Sequence, residues 1–216
     1  VAPYVYDENG RRVAAPSKGQ RREQSILDEA EKQLRDNGYE AMTVETIANA
    51  AGITRAGLYF YFRSRNDVLA ALVQRATTEL TSAVVTSDAA PGTSAATAIT
   101  SALARTEDLW RRHGAVMRAA IELSPTVPVI ATLWNDARTT VRDAVSAITS
   151  RTGTGPDARP APPVDDDAGP TGRPALVRAL VAMTEQAYLD GFTHGTPLEE
   201  VTTTATTIWH RTLQLT

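Results

Sequence analysis

The chain has 216 residues, a formal net charge of −3 and no cysteine. The missing cysteines exclude a disulfide framework and thiolate chemistry, and the near-balanced charge excludes a non-specific nucleic-acid coat. No apolar run approaches the roughly 18 residues of a membrane span and the N-terminus shows no secretory hydrophobic region, so the chain reads as soluble, cytoplasmic and free of a membrane partner.

Residues 1–20 carry Pro3, Gly10, Pro16 and Gly19 with little periodicity and read as a flexible arm. Its basic end (Arg11, Arg12, Lys18, with Arg21 and Arg22 just beyond) either lies along DNA or is simply solvated. A first helix is predicted from Gln20 to Asn37, with Ile26, Leu27, Ala30 and Leu34 as its apolar stripe and Asn37-Gly38 as its stop. Thr43 caps a second helix, Glu45 suits its positive end, and Val44, Ile47 and Ala48 give it one apolar face. Gly52 ends that run because a glycine enters the left-handed conformation without a Cβ penalty. Ile53 follows as an apolar plug, Thr54 caps a third helix, and Leu58 and Phe62 face the plug. Two short helices about such a turn make a helix-turn-helix. Thr54, Arg55, Gly57, Tyr59 and Tyr61 remain outward on the third helix, where they suit phosphates and base edges. Gly57 costs about 1 kcal/mol relative to Ala, offset by close approach to DNA or merely tolerated in a short helix.

Ser64-Arg65-Asn66-Asp67 forms a capping box opening a fourth helix, along which Val68, Leu72, Ala76, Leu80 and Val84 step by four. A helix of that length is the expected lever between a DNA-binding domain at 21–65 and a larger helical domain at 66–216. After a loop at Ser87–Thr93, one helix carries Ile99, Leu103 and Trp110 to His113-Gly114, and a short one carries Val116, Met117 and Ile121. The next opens with Pro128 in its first turn and runs to about Ser150. Residues 151–172 are rich in Pro, Gly and Asp and read as a disordered loop. Two last helices are predicted, Pro174–Phe192 and Pro197–Leu213. No strand pattern is present, so the expected fold is all-α.

The run GITRAGLYFYFRSRNDVLAAL resembles the signature of TetR-type transcriptional regulators. In that family a Tyr late in the recognition helix is followed by an aromatic or His, then Phe, then a Ser-basic cap; here these are Tyr59, Tyr61, Phe62, Ser64 and Arg65. The likeness covers about Arg21–Leu80, with Tyr61 where His is common and Arg65 where Lys is common. On this reading Thr43, Tyr59 and Arg65 hold phosphates, while Thr54, Arg55 and Tyr61 approach the major groove with Gly57 between them. The resemblance implies a homodimer through the last two helices, about 174–213, on a palindromic operator; burial of those helices within one monomer is the alternative. It also implies an inducer site in the second domain. There Trp110, Met117, Trp134, Met183, Tyr188 and Trp209 are either plain core or the wall of an apolar chamber, with Thr184, Glu185, Gln186 or Asn135 as polar anchors. The stretches ALVAMTEQAYLDGF and IWH further resemble the mycobacterial ethionamide-regulator branch, whose chamber is a long apolar tube.

Enzymatic readings find little support. His113, His194 and His210 fall in three different segments, and no spacing suggests a metal site or a cofactor. Asp165–Asp167 lies among prolines, and Gly153-Thr154-Gly155 is only a fragment of a phosphate loop. The expected function is a DNA-binding regulator, a repressor released by a small apolar ligand. An activator of the same type and a helical protein-interaction module are the alternatives.

Overall fold

The computed structural model describes residues 4–6, 12–14, 17–86, 93–150 and 172–215. They form two compact units, Val1–Ala71 and Leu72–Thr216.

In the first unit, α1 (Lys18–Ala41) starts on a capping box: Ser17 Oγ accepts from Gln20 N at 3.1 Å, and Gln20 Oε1 accepts from Ser17 N at 2.8 Å. Its predicted stripe of Ile26, Leu27, Ala30 and Leu34 is buried. Gly38, at φ 77°, breaks the helical path where the sequence predicts a stop, and a short turn then continues to Ala41. α2 (Val44–Ala50) is capped by Thr43, whose Oγ1 accepts from Thr46 N, while Thr46 Oγ1 accepts in return from Thr43 N. Gly52 takes φ 64°, in the left-handed region, and α3 (Arg55–Tyr61) follows on the Thr54 cap. Ile47, Ala48, Leu58 and Phe62 are buried and Ile53 is half-buried, as a helix-turn-helix core requires.

One expectation fails in this unit. The sequence predicts no strand, yet β1 (Tyr4–Tyr6) and β2 (Arg12–Ala14) pair antiparallel, with Val5 opposite Val13. Three residues are too few for a two-residue period to be measurable. The expected arm at 1–20 is also shortened at its end, because Ser17–Gln20 form the capped first turn of α1. Its other residues, Arg11 included, fall outside the described residues, as do the loop assignments at 87–92 and 151–171.

α4 (Arg65–Thr86) is a single helix that starts in the first unit and runs into the second. The capping box at its start is altered by one residue. Ser64 Oγ accepts from Asp67 N at 3.2 Å, but Asp67 Oδ2 accepts from Arg63 N, not from Ser64 N. The units divide after Ala71, a little over one and a half turns past the expected boundary at residue 65. The cause is visible at the start of the helix: Tyr39 donates to Asn66 Oδ1 and its ring lies under the Arg65 guanidinium at 4.4 Å, so the first turn of α4 is fastened to the end of α1.

The second unit is built on α5 (Ala95–Leu123), which packs against α6 (Pro128–Ser150), α7 (Arg173–His194) and α8 (Leu198–Leu213). The two helices predicted either side of His113-Gly114 are one helix with a kink at His113 (φ −121°, ψ 18°). A Cβ on Gly114 would sit 2.2 Å from the Phe192 ring, so this glycine is what lets α7 lie close to the kink. A Cβ on Gly191 would likewise meet Val201 at 2.8 Å, where α7 and α8 approach. The core gathers Ile99, Leu103, Val145, Ile148, Val177, Leu180, Ala205 and Trp209.

Candidate DNA-reading face and candidate ligand chamber

The reading face rests on α3. Thr54 Oγ1 accepts from Gly57 N at 3.0 Å, which fixes the first turn of the helix. Arg55 and Tyr59, four residues apart, stand exposed on one side. Arg55 Nη2 donates to Tyr59 Oη at 3.3 Å, and its guanidinium lies 5.8 Å from the ring centroid. The hydrogen bond to Tyr59 raises the Arg55 pKa above its usual value, so the guanidinium is a cation at any working pH. Tyr61 is half-buried. Gly57 has a local reason that needs no DNA, since a Cβ there would stand 3.3 Å from Thr54 Oγ1 and crowd the cap.

Thr43 and Arg65, predicted contact residues outside α3, are also engaged within the unit. Thr43 spends its hydroxyl on the α2 cap while remaining exposed. Arg65 turns back over Tyr39 and lies 3.8 Å from Glu40, with about a third of its side chain still open to solvent. The prediction missed Phe60, which is 84% exposed at the outer side of α3. The signal was present: with Leu58 and Phe62 inward, the residue midway between them on a helix must point out.

In the second unit a cavity of ≈ 90 Å³ is lined by Trp110, Met117, Trp134, Thr184, Tyr188 and Trp209, six of the seven predicted chamber residues. Met183 is not in the lining; it packs, half-buried, on the core cluster. Leu80 and Val84 of α4 also face the cavity. Trp110 stacks on Tyr188 at 6.1 Å between centroids. The Tyr188 hydroxyl donates to Leu103 O at 3.1 Å and lies 2.8 Å from Thr202 Oγ1. Burial pushes its pKa up to about 12. Trp209 Nε1 donates to Thr184 Oγ1 at 2.9 Å, whereas the buried Trp134 Nε1 finds no acceptor. Arg138 makes a two-pronged contact with Glu185, Nε to Oε2 at 2.7 Å and Nη2 to Oε1, which raises the Arg138 pKa. Both ends of that pair line the cavity, so its polar rim is charge-neutral. Among the described residues no group of three or more His, Asp or Glu could hold a metal ion, and no single helix is long and apolar enough to cross a membrane.

Residues 26–72, which contain the helix-turn-helix, match the model of the bacterial regulatory proteins of the tetR family. The HTH-type transcriptional regulator EthR of Mycobacterium tuberculosis is 33% identical over 137 residues. The chain is thus similar to the tetR family over its helix-turn-helix. Its likeness to the M. tuberculosis EthR spans 58% of each chain. EthR of Mycolicibacterium smegmatis is 29% identical over 210 residues, 93% of this chain and 89% of that one, a distant likeness along nearly the whole chain. A tetR-family regulator from Streptomyces coelicolor shares the fold with a TM-score of 0.69 at 19% identity, covering 89% of this chain and 80% of that one.

Proposed function

We propose that the protein is a homodimeric transcriptional repressor that reads a palindromic operator and is released from it by a small apolar ligand. The observation that carries the reading is the α3 surface. A cation, two phenols and a capped N-terminus sit on a short helix that follows the Gly52 turn, with Arg55 and Tyr59 exposed on it. Arg55 is the candidate for a bidentate contact to guanine, and Thr43, Tyr59 and Arg65 for phosphates.

Dimerisation is supported by α7 and α8. Val177 and Leu180 of α7 are buried, Leu176, Val181 and Met183 are half-buried around them, and Ile208 of α8 stays 37% exposed. A helix with apolar residues on more than one side suits being covered twice. Ligand release is supported by the cavity, whose lining includes Leu80 and Val84 of the same α4 that begins beside the helix-turn-helix. A ligand there can bias α4 only as far as it prefers the state that does not bind operator.

The test is binding of the purified protein to the DNA upstream of its own coding region across a salt series, with Arg55→Ala beside it. A dimer-stoichiometry complex that weakens with salt, and about 5- to 150-fold more in the variant, is the expected result. No preference for that DNA over random duplex, together with a random pool from which no sequence is enriched, would refute operator reading.

A further inference from the structure

We propose that Phe60 reads the 5-methyl group of a thymine in the operator half-site, an inference that rests on the operator-binding reading above. Phe60 is 84% exposed, while the other exposed large apolar residues, Tyr59, Val129 and Ile208, lie between 37% and 44%. A phenyl ring left in water on the helix that presents the DNA-reading side chains offers apolar surface whose burial on contact is favourable.

The geometry of α3 narrows that partner. Ala56, one turn before Phe60, is also exposed, so the two make a short apolar strip beside the polar strip of Arg55 and Tyr59. The helix therefore offers two chemistries side by side to whatever it enters. Phe60 and the half-buried Tyr61 pack edge to face, with centroids 5.1 Å apart and an interplanar angle of 81°.

The chemistry of the side chain does the rest. Phenylalanine carries no hydroxyl, so it neither bonds a base edge nor holds a phosphate. In the major groove the one apolar feature a base pair presents is the thymine 5-methyl group. The polar strip is suited to guanine and phosphate, and the apolar strip to thymine.

The experiment uses the full chain. Duplexes enriched from a random pool by the wild-type protein are resynthesised with each thymine in turn replaced by uracil, which removes the methyl group alone. Wild type, Phe60→Ala and Phe60→Leu are titrated on each duplex, and their mass and helicity are measured alongside. One thymine per half-site should be sensitive, losing roughly fourfold in wild-type affinity per methyl, the value of burying one methylene-sized group. Phe60→Ala should bind the thymine duplex more weakly and no longer distinguish thymine from uracil at that position, and Phe60→Leu should keep part of the discrimination. If Phe60→Ala retains the wild-type response to every uracil, the inference is wrong. It is also wrong if the variant weakens equally on all duplexes together with a change in dimer mass, because Phe60 then serves a protein contact. Failure of the wild type to enrich any duplex would instead remove the operator-binding reading itself.

Discussion

Tyr188→Phe deletes a single buried hydroxyl beside the candidate chamber, and the structure fixes both the size and the pH dependence of the effect. At neutral pH the loss is one net hydrogen bond, about 0.5–1.5 kcal/mol. The lower half of that range is expected, because Thr202 keeps Glu107 (2.5 Å) and Leu198 O (2.9 Å) as acceptors. At alkaline pH the sign reverses. Burial raises the Tyr188 pKa from 10.0 to about 12, so the folded protein holds the proton after the unfolded chain has released it. The stability this represents is complete below pH 10 and is lost as pH rises from 10 through 12. The full loss is about 2.7 kcal/mol, with a slope near pH 11 of about −1 kcal/mol per pH unit. Phenylalanine has no such proton. The wild type should be the more stable protein at pH 8 and Tyr188→Phe the more stable at pH 12, with the curves crossing between. Urea unfolding followed by tryptophan fluorescence at pH 8, 10, 11 and 12 gives both curves, and Trp110 stacked on residue 188 is a local reporter. Parallel curves across that range would refute the assignment of a buried, neutral phenol.

Two further substitutions each test a local contact inside one unit. Gly114→Ala pushes a methyl into the Phe192 ring at the α5 kink, and should lower stability by about 1–3 kcal/mol as overpacking does, measured by thermal or urea unfolding. Thr54→Ala removes the α3 cap and should cost about 0.5–2 kcal/mol of stability, read by hydrogen exchange at the amide of Gly57. An unchanged exchange rate there would show that the cap is not what holds the first turn.

The parts of this protein that were legible in its sequence are those whose causes are local. A threonine three residues before its partner amide, a glycine where the chain must turn left-handed and a proline in a first turn each act within one helical turn, and Thr43, Thr54, Gly52 and Pro128 all stand where those rules put them. The illegible parts depend on distant chain. Arg138 meets Glu185 across 47 residues, Trp209 meets Thr184 across 25, and Arg65 folds back on Tyr39. Periodicity shows that such residues share a face, but not which face they will meet. The strands of residues 4–6 and 12–14 were hidden for a different reason. They are too short to show alternation. Phe60 alone was legible and overlooked: the positions of Leu58 and Phe62 already required it to face outward.

The lining of the chamber also bears on which ligands suit the proposed release. Its charges, Arg138 and Glu185, already neutralise each other through two hydrogen bonds. A charged ligand meets no unpaired counter-charge there, because pairing with Arg138 or Glu185 means competing with their existing contact, and both are only half-buried. An uncharged apolar ligand leaves the pair intact and adds contact with Trp110, Met117 and the α4 residues Leu80 and Val84. At ≈ 90 Å³ the cavity is small beside the roughly 300–1,000 Å³ of a drug-sized site, so a larger ligand has to move part of its wall. The α4 side chains are part of that wall, and α4 is also the helix whose first turn is fastened to Tyr39. Under the proposed mechanism the small resting cavity is therefore what turns occupancy into displacement: a chamber already wide enough would bind the ligand without disturbing α4.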